Sequence, residues 1–483
     1  MLETQDLTFS YDGTTQILKS LYLQVRRGEL LLITGPTGSG KSTLAKCLTG
    51  FIPRSIEGCF SGSVHIDGRN TEHLSTPEFS KMISLVQQDP DSQICTLIVS
   101  DEVAFGPENY EFEEKIIENL VKSSLSDVNS LHLSQRKTHT LSGGEKQRVA
   151  IAAILACQSD FIILDEPSSS LDPQGIIYLR NILSKLKEKN VGIICIEHNL
   201  SAIRPIADRV LSLDNGILSD VPEKQSQDLI IPYKIQGSIN QKPLLTLERT
   251  SFSYGSTPII NDVDFRITPN EIIALMGANG SGKTTLISVL GGLLTPNQGS
   301  VFLGEISISK LQLKDITRQL SIVFQNPTYQ IFESTVWKEQ ILTSEILEIN
   351  DEEHKELSQN LLEIAGLINL RERNPFSLSH GQKRRLNLTS TTVHSPHILL
   401  LDEPFIGQDP DGRQFILNTI FETAKNGGAV VIVTHDVDFA RKYCNRIVFL
   451  ENGVILLDGN PESVLQKLPE IGHDEYSKIG TVV

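Results

Sequence analysis

The sequence predicts an α/β chain made of two tandem domains, each built on a mostly parallel sheet. Three observations carry this. A glycine-rich pattern, G-x-x-x-x-G-K-[ST], occurs twice, as Gly35-Pro36-Thr37-Gly38-Ser39-Gly40-Lys41-Ser42 and as Gly277-Ala278-Asn279-Gly280-Ser281-Gly282-Lys283-Thr284. Each copy stands between a short apolar run that reads as a buried strand and an apolar-periodic stretch that reads as a helix. The motifs further along recur at a constant offset between the halves.

Leu30-Leu31-Leu32-Ile33 and Ile272-Ile273-Ala274-Leu275-Met276 are the strands before the loops, and Thr43–Leu48 and Thr285–Leu290 are the helices after them. A strand, a glycine loop and a helix N-terminus make a nest of backbone N–H groups aimed at phosphate. The expected phosphate binders are Gly35, Gly38, Gly40, Lys41, Ser42 and Thr43 in the first half. In the second they are Gly277, Gly280, Gly282, Lys283, Thr284 and Thr285. The chain is therefore expected to bind nucleoside triphosphate twice. Asp165-Glu166-Pro167 recurs as Asp402-Glu403-Pro404, Ser142 as Ser379 and His198 as His435, each 237 residues on. Lys41 and Lys283 are 242 apart and Tyr11 and Tyr254 are 243 apart, a drift that small changes in surface loops account for. So long a period means whole domains, expected at 1–222 and 244–483. A polar, proline-bounded linker is expected at 223–243.

The formal charge of −16 argues against a nucleic-acid partner, which usually needs a basic face, and no such partner is expected. The six cysteines form no C-x-x-C pair and read as reduced, mostly buried thiols. Met1-Leu2-Glu3-Thr4 does not open a signal segment, and apolar runs such as Ile398–Leu401 are far shorter than the ~20 residues of a membrane helix. The tail around His473-Asp474-Glu475 reads as an exposed polar terminus rather than a metal site.

Phe161–Leu164 reads as a buried strand that ends in two acids, Asp165 and Glu166. In a doubly wound sheet that places both carboxylates beside the phosphate loop. One carboxylate, with the hydroxyl of Ser42 or Thr284, suits Mg²⁺ bridging the β- and γ-phosphates. The next suits polarisation of the attacking water. Asp402-Glu403 repeats the arrangement. Leu141-Ser142-Gly143-Gly144-Glu145 opens an apolar-periodic helix and offers a second anion site at free N–H groups.

Phosphate loop, glutamine, LSGGE, LDEP and late histidine, in this order and twice over, resemble the ATP-binding cassette ATPases across nearly the whole chain. The resemblance implies ATP and Mg²⁺ as ligands, and a parallel core with antiparallel β and helical subdomains in each half. It also implies that the two internal domains pair head to tail, with each ATP between the phosphate loop of one and the signature turn of the other. Site one would join Lys41, Ser42, Gln88, Asp165, Glu166 and His198 with Ser379, Gly381 and Gln382. Site two would join Lys283, Thr284, Gln325, Asp402, Glu403 and His435 with Ser142, Gly143, Gly144 and Glu145. Glu166 and Glu403 match the catalytic glutamates, and His198 and His435 the γ-phosphate sensors. Gln88 and Gln325 match the glutamines that serve both catalysis and the metal, Tyr11 and Tyr254 the adenine-stacking aromatics. Asp172 and Asp409 match an aspartate that touches the opposite site.

Two departures stand in the second half. His380 replaces a glycine in Leu378-Ser379-His380-Gly381-Gln382, which costs of order 1 kcal/mol or more if that position needs positive φ. Phe405-Ile406-Gly407-Gln408-Asp409 replaces the pattern kept as Ser169-Ser170-Leu171-Asp172. Two hydrolysing sites of unequal rate are expected, against one slow and mainly structural site.

Gln88-Asp89-Pro90-Asp91-Ser92-Gln93-Ile94, followed by Glu102-Val103-Ala104-Phe105-Gly106-Pro107-Glu108-Asn109, resembles the ATPase subunits of energy-coupling factor transporters. Gln325-Asn326-Pro327-Thr328-Tyr329-Gln330-Ile331 repeats the first part. Trp337-Lys338-Glu339-Gln340 replaces the second, so a different docking groove is expected there. The resemblance implies an importer of vitamins or metal ions. Its partners would be a transmembrane coupling subunit and a substrate-binding membrane subunit, and this chain would lie peripherally on the cytoplasmic face of the cell membrane. A tandem ATPase of a conventional sugar importer would predict a degraded second site. A ribosome-directed relative would predict a long charged linker. Neither feature is in the sequence.

Overall fold

The computed structural model describes residues 1–36, 38–169, 171–197, 200–221, 241–349 and 351–478. The chain divides into two compact units. The expected linker falls almost wholly outside the described residues, and so does His198.

The strands of unit 1 are β1 (Leu2–Ser10), β2 (Leu18–Val25), β3 (Leu30–Thr34), β4 (Cys59–Ile66), β5 (Arg69–Asn70), β6 (Ile83–Val86), β7 (Phe161–Asp165), β8 (Gly192–Ile196), β9 (Arg209–Asp214) and β10 (Ile217–Asp220). They form an antiparallel sheet of order β2-β1-β4-β5 and a six-stranded sheet of order β10-β9-β3-β8-β7-β6. In the second sheet β9, β3, β8, β7 and β6 run parallel. β2 shows why these residues make a half-buried strand: Leu18, Leu21, Leu23 and Val25 point inward while Tyr22 and its polar neighbours face out. β7 and β8 are buried along their whole length, as strands covered on both faces must be.

The helices that matter for the site are α1 (Lys41–Leu48), α2 (Val99–Asn109), α3 (Glu114–Asp127), α4 (Gly143–Ala156) and α5 (Pro173–Glu188). α2, α3 and α4 pack on one another as a helical subdomain. α1 starts at Lys41, two residues before the apolar periodicity begins, because Gly40 turns into it at φ 104°.

Unit 2 repeats the plan with β11 (Leu245–Tyr254), β12 (Thr257–Ile267), β13 (Ile272–Met276), β14 (Gln298–Leu303), β15 (Ile306–Ser307), β16 (Leu320–Val323), β17 (Ile398–Asp402), β18 (Ala429–Val433), β19 (Arg446–Glu451) and β20 (Val454–Gly459). The sheet orders are β12-β11-β14-β15 and β16-β17-β18-β13-β19-β20. Its helices include α6 (Lys283–Leu290), α7 (Val336–Ile346), α8 (Glu352–Ile364), α9 (His380–Thr392) and α10 (Pro410–Lys425). One face of its parallel sheet packs on α9 and α10 through Leu399, Leu401, Leu386 and Phe415, and the other on α6 and the antiparallel sheet through Leu400, Leu286 and Phe265.

Two expectations are corrected. The C-terminal segment is not an exposed polar end. Tyr476 is buried edge-on against Phe449, and His473 lies between Glu451 (3.2 Å) and Glu475 (3.0 Å). The aromatic ring gives this polar stretch something to anchor. The cysteines are free, but Cys47, Cys195 and Cys444 alone are fully buried, whereas Cys59 and Cys95 are exposed.

Candidate active site

In each unit the parallel strands deliver their carboxyl ends to one edge of the sheet. After β3 comes the loop Gly35–Ser42, after β6 Gln88, at the end of β7 Asp165 and Glu166, and after β8 Glu197. β13, β16, β17 and β18 do the same for Gly277–Thr284, Gln325, Asp402-Glu403 and His435. This is the crevice in which open α/β sheets bind ligands.

The loops can be built only with glycine at their first position. Gly35 has φ 146°, and a Cβ there would sit 2.0 Å from the carbonyl oxygen of Leu213. Gly277 has φ 145° and would meet Leu450 O at 2.1 Å. Lys41 Nζ donates to Gly35 O and Pro36 O, both at 2.8 Å, and Lys283 Nζ to Gly277 O and Ala278 O, also at 2.8 Å. The two ammonium groups thus bridge the carbonyls of their own loops, above the nest that would take phosphate.

The donors for a cation are in place. Thr284 Oγ1 donates to Asp402 Oδ2 at 2.7 Å. The Ser42 hydroxyl bonds Asp165, whose buried Oδ1 has no hydrogen-bond partner among the described residues. Burial holds both aspartates above the usual carboxylate range. A hard divalent cation reverses that cost, and hydroxyl plus carboxylate is a fitting donor set for Mg²⁺. Gln88 is drawn to the glutamate: its Nε2 donates to Glu166 Oε2 at 2.8 Å.

Glu166 and Glu403 have φ 51° and φ 48°, a left-handed conformation that side-chain-bearing residues rarely adopt. Strain of this kind costs of order 1–3 kcal/mol and persists where the surroundings enforce it. Here Glu166 N donates to Ile196 O (2.9 Å) and Glu403 N to Val433 O (3.1 Å), pinning each residue to the neighbouring strand. Burial, with Asp402 alongside, raises the Glu403 carboxyl to about 8. His435 Nε2 stands 3.2 Å from Asn279 Oδ1 in the phosphate loop and 3.3 Å from Glu403 Oε1. It therefore spans the place between loop and glutamate where a γ-phosphate would lie.

Both signature turns are capping boxes. Ser142 and Glu145 cap α4 reciprocally, and Ser379 and Gln382 do the same for α9. The side chains of Glu145 and Gln382 are thereby folded back, and the first-turn N–H groups of Gly143, Gly144 and Gly381 face outward from the helix end. His380 is the first residue of α9 and is not among the residues of positive φ, so the backbone penalty does not arise. At the matching Gly143 a Cβ would meet nothing within 4 Å, which is why a side chain fits. Gly381 cannot be replaced so easily, since its Cβ would lie 2.5 Å from Gly407 O.

Asp172 and Asp409 cap α5 and α10 by accepting from Gly175 N (2.8 Å) and Gly412 N (2.7 Å). Tyr11 and Tyr254 are 49% and 55% exposed, each with its ring edge-on to a phenylalanine beneath, so neither is a core residue and each leaves a ring face open. Tyr11 Oη reaches Thr43 Oγ1 at 3.2 Å, fixing the ring beside the phosphate loop.

Several residues were not foreseen. Glu102 accepts from Cys95 N (3.0 Å) and Thr96 N (2.9 Å). Glu339 accepts from Phe332 N (2.9 Å) and Glu333 N (2.7 Å). The second half therefore keeps the same buried carboxylate clamp under its loop, and what differs is the exposed side chains. These are Leu97 and Phe105 in unit 1 and Tyr329 and Phe332 in unit 2. A Val-x-x-Glu pattern at the common offset (Val99/Glu102, Val336/Glu339) was the available signal. Glu197, buried after β8, accepts from Ser168 N at 2.9 Å and has Thr434 as its counterpart. Arg384 donates to the carbonyl oxygens of Gln325 and Glu403.

Comparison with known proteins agrees with this geometry. Residues 18–169 and 260–406 match the family model described as ABC transporter. The chain is 31% identical to the putative HMP/thiamine import ATP-binding protein YkoD of Bacillus subtilis (strain 168), across 97% of this chain and 93% of that protein. It is 33% identical to a putative ABC transporter ATP-binding protein of Methanosarcina mazei, across 97% and 90%. The archaeal ribosome recycling factor aABCE1, solved with the ribosomal stalk protein aP1, shares the fold at TM-score 0.65 and 23% identity over 97% of this chain and 92% of that one.

Proposed function

Because the chain belongs to the ABC transporter family, as a tandem ATPase that binds ATP with Mg²⁺ and hydrolyses it, we propose that it is the energy-coupling subunit of a membrane importer of the energy-coupling factor type. The observation that carries the reading is the pair of loops behind the glutamines. Each turns through a 3₁₀ segment, Pro90–Ser92 or Pro327–Gln330, and is clamped from beneath by Glu102 or Glu339. Each presents large apolar side chains to solvent, Leu97 at 74% exposure and Phe332 likewise at 74%. A rigid loop that offers apolar anchors suits a groove for a partner's helix. Full-length likeness to a protein named for HMP/thiamine import supports import as the direction. Among the described residues no helix is long and apolar enough to cross a membrane, so the transmembrane coupling and substrate-binding parts would be other chains.

In this reading Glu166 and Glu403 accept a proton from the attacking water, and Gln88 orients Glu166. Lys41 and Lys283 move from their loop carbonyls to phosphate oxygens. His435 holds the γ-phosphate from the side opposite the loop. Ser42 with Asp165, and Thr284 with Asp402, would hold Mg²⁺, which would supply charge neutralisation at the phosphates. Tyr11 and Tyr254 stack on adenine. The head-to-tail pairing of the halves is part of the same proposal. The likeness to the ribosome recycling factor is one of fold and supports no second reading. The test is capture of the tagged chain from detergent-solubilised membranes of its source. Recovery of two small hydrophobic proteins is expected; recovery of ribosomes or of a single conventional permease would overturn the importer assignment.

A further inference from the structure

The two signature helices differ most on the face turned into the protein. α4 reads Glu145-Lys146-Gln147-Arg148-Val149-Ala150, and α9 reads Gln382-Lys383-Arg384-Arg385-Leu386-Asn387. Arg384 is 1% exposed, and its guanidinium donates from one nitrogen to Gln325 O in the glutamine loop and from the other to Glu403 O at the end of β17. One turn on, buried Asn387 Nδ2 donates to Pro327 O at 2.8 Å. The loop that receives these bonds is itself tied: Gln330 bonds Phe324 N (2.9 Å) and Ile322 O (2.8 Å). At the matching places in unit 1 stand Ala150, which has no side-chain donor, and Gln147, whose buried Nε2 has no hydrogen-bond partner among the described residues.

We propose that Arg384 is a positioning residue that locks the second signature helix to the glutamine loop and the catalytic strand of its own unit, so that these three parts move as one body. A planar guanidinium reaches two separated carbonyls from two different nitrogens, whereas a glutamine amide has both its N–H donors on one nitrogen. The two carbonyls belong to Gln325 and to the strained Glu403, so the bridge fixes the backbone on which both reactive side chains are hung. Burial pulls the guanidinium down to about 10, and the neighbouring Glu403 and Asp402 act against that cost without cancelling it. Any shift of Gln325 on meeting nucleotide would be passed to α9 and so to Ser379 and Gly381 at its N-terminus. In unit 1 the signature helix meets its glutamine loop through a different contact, a surface ion pair between Lys146 and Asp91. The halves would then differ in how the signature helix is coupled to the site, by a buried two-carbonyl bridge in unit 2 and by a surface ion pair in unit 1. This rests on the assignment of Gln325 and Glu403 as reactive residues.

The experiment is steady-state ATP hydrolysis by the full chain, as wild type, Arg384→Gln, Arg384→Lys and Glu403→Gln. Arg384→Gln is expected to lower kcat about tenfold, because small misplacement of reacting groups is costly. KM for ATP should stay within about twofold, because the phosphate loop is untouched. Arg384→Lys should recover part of kcat by reaching one of the two carbonyls. An unchanged kcat in Arg384→Gln, a raised KM at constant kcat, or no recovery in Arg384→Lys would overturn the proposal. If Arg384→Gln does not fold, Arg384→Lys must show the same split, more mildly. Glu403→Gln separates the premises: if it leaves turnover intact the assignment of the glutamate fails, and if it abolishes turnover while Arg384→Gln does not, the locking role fails.

Discussion

Glu197→Gln offers a stability test of the acidic cluster at the first site. Glu197 follows β8, is buried, and accepts from Ser168 N while facing Glu166 and Asp165. Burial first, and the neighbouring carboxylates after it, raise its carboxyl from 4.5 to about 8. A raised acid keeps its proton in the folded state when the unfolded chain has lost it. The resulting stability is complete below pH 4.5 and is lost as pH rises through about 8. At about 1.4 kcal/mol per unit, the wild type loses on the order of 2 kcal/mol between pH 6 and pH 8.5 through this group. Glutamine keeps the acceptor for Ser168 N and cannot ionise. For a domain of this size the Tm gap in favour of Glu197→Gln should therefore widen by roughly 4–8 °C over that range. The assay is thermal unfolding of both proteins, free of nucleotide and metal, at half-unit pH steps. Parallel curves, with a gap that does not grow with pH, would refute the assignment of a protonated carboxyl at this position.

Other outcomes follow from the same geometry. Glu166→Gln combined with Glu403→Gln should cut ATP turnover at least about a hundredfold while the chain still retains bound ATP, read by hydrolysis rate and by nucleotide recovered after gel filtration. Gly277→Ala would place a Cβ 2.1 Å from Leu450 O at φ 145°, so the second loop must distort. At about 1–3 kcal/mol for such strain, ATP affinity at that site should fall roughly 5- to 150-fold in a fluorescent-nucleotide titration. Tyr11→Ala should weaken ATP binding about 2- to 10-fold through lost ring stacking, and an unchanged Kd would place the adenine elsewhere.

Much of the fold and the site is legible in the sequence because the motifs are local. A phosphate loop needs its glycines, lysine and hydroxyl within eight residues, and the strand and helix around it announce themselves by apolar runs. The catalytic acids sit directly at the end of such a run, so the order of residues alone places Asp165-Glu166 and Asp402-Glu403 at the sheet edge. The change of pattern in the second half hides what is kept, because exposed residues changed while Glu339 kept the buried job of Glu102. The penalty expected for His380 depends on a backbone angle, and the helical start of α9 removes it. Tyr476 reads as part of a polar terminus, yet it packs on Phe449, a strand residue that nothing in the local sequence connects to it.

What the sequence by itself determined is the duplicated α/β plan, the two nucleotide-binding loops and the identity of the acids, since each depends on residues adjacent in the chain or on a repeat at fixed offset. Tertiary structure alone decided the left-handed backbone at Glu166 and Glu403, the third carboxyl at Glu197, and the bridge from Arg384 to Gln325 and Glu403. These depend on which strands lie side by side and on what a buried side chain finds there. Hydrogen bonds across 59 residues of chain, as between Arg384 and Gln325, leave no spacing in the sequence from which they can be read.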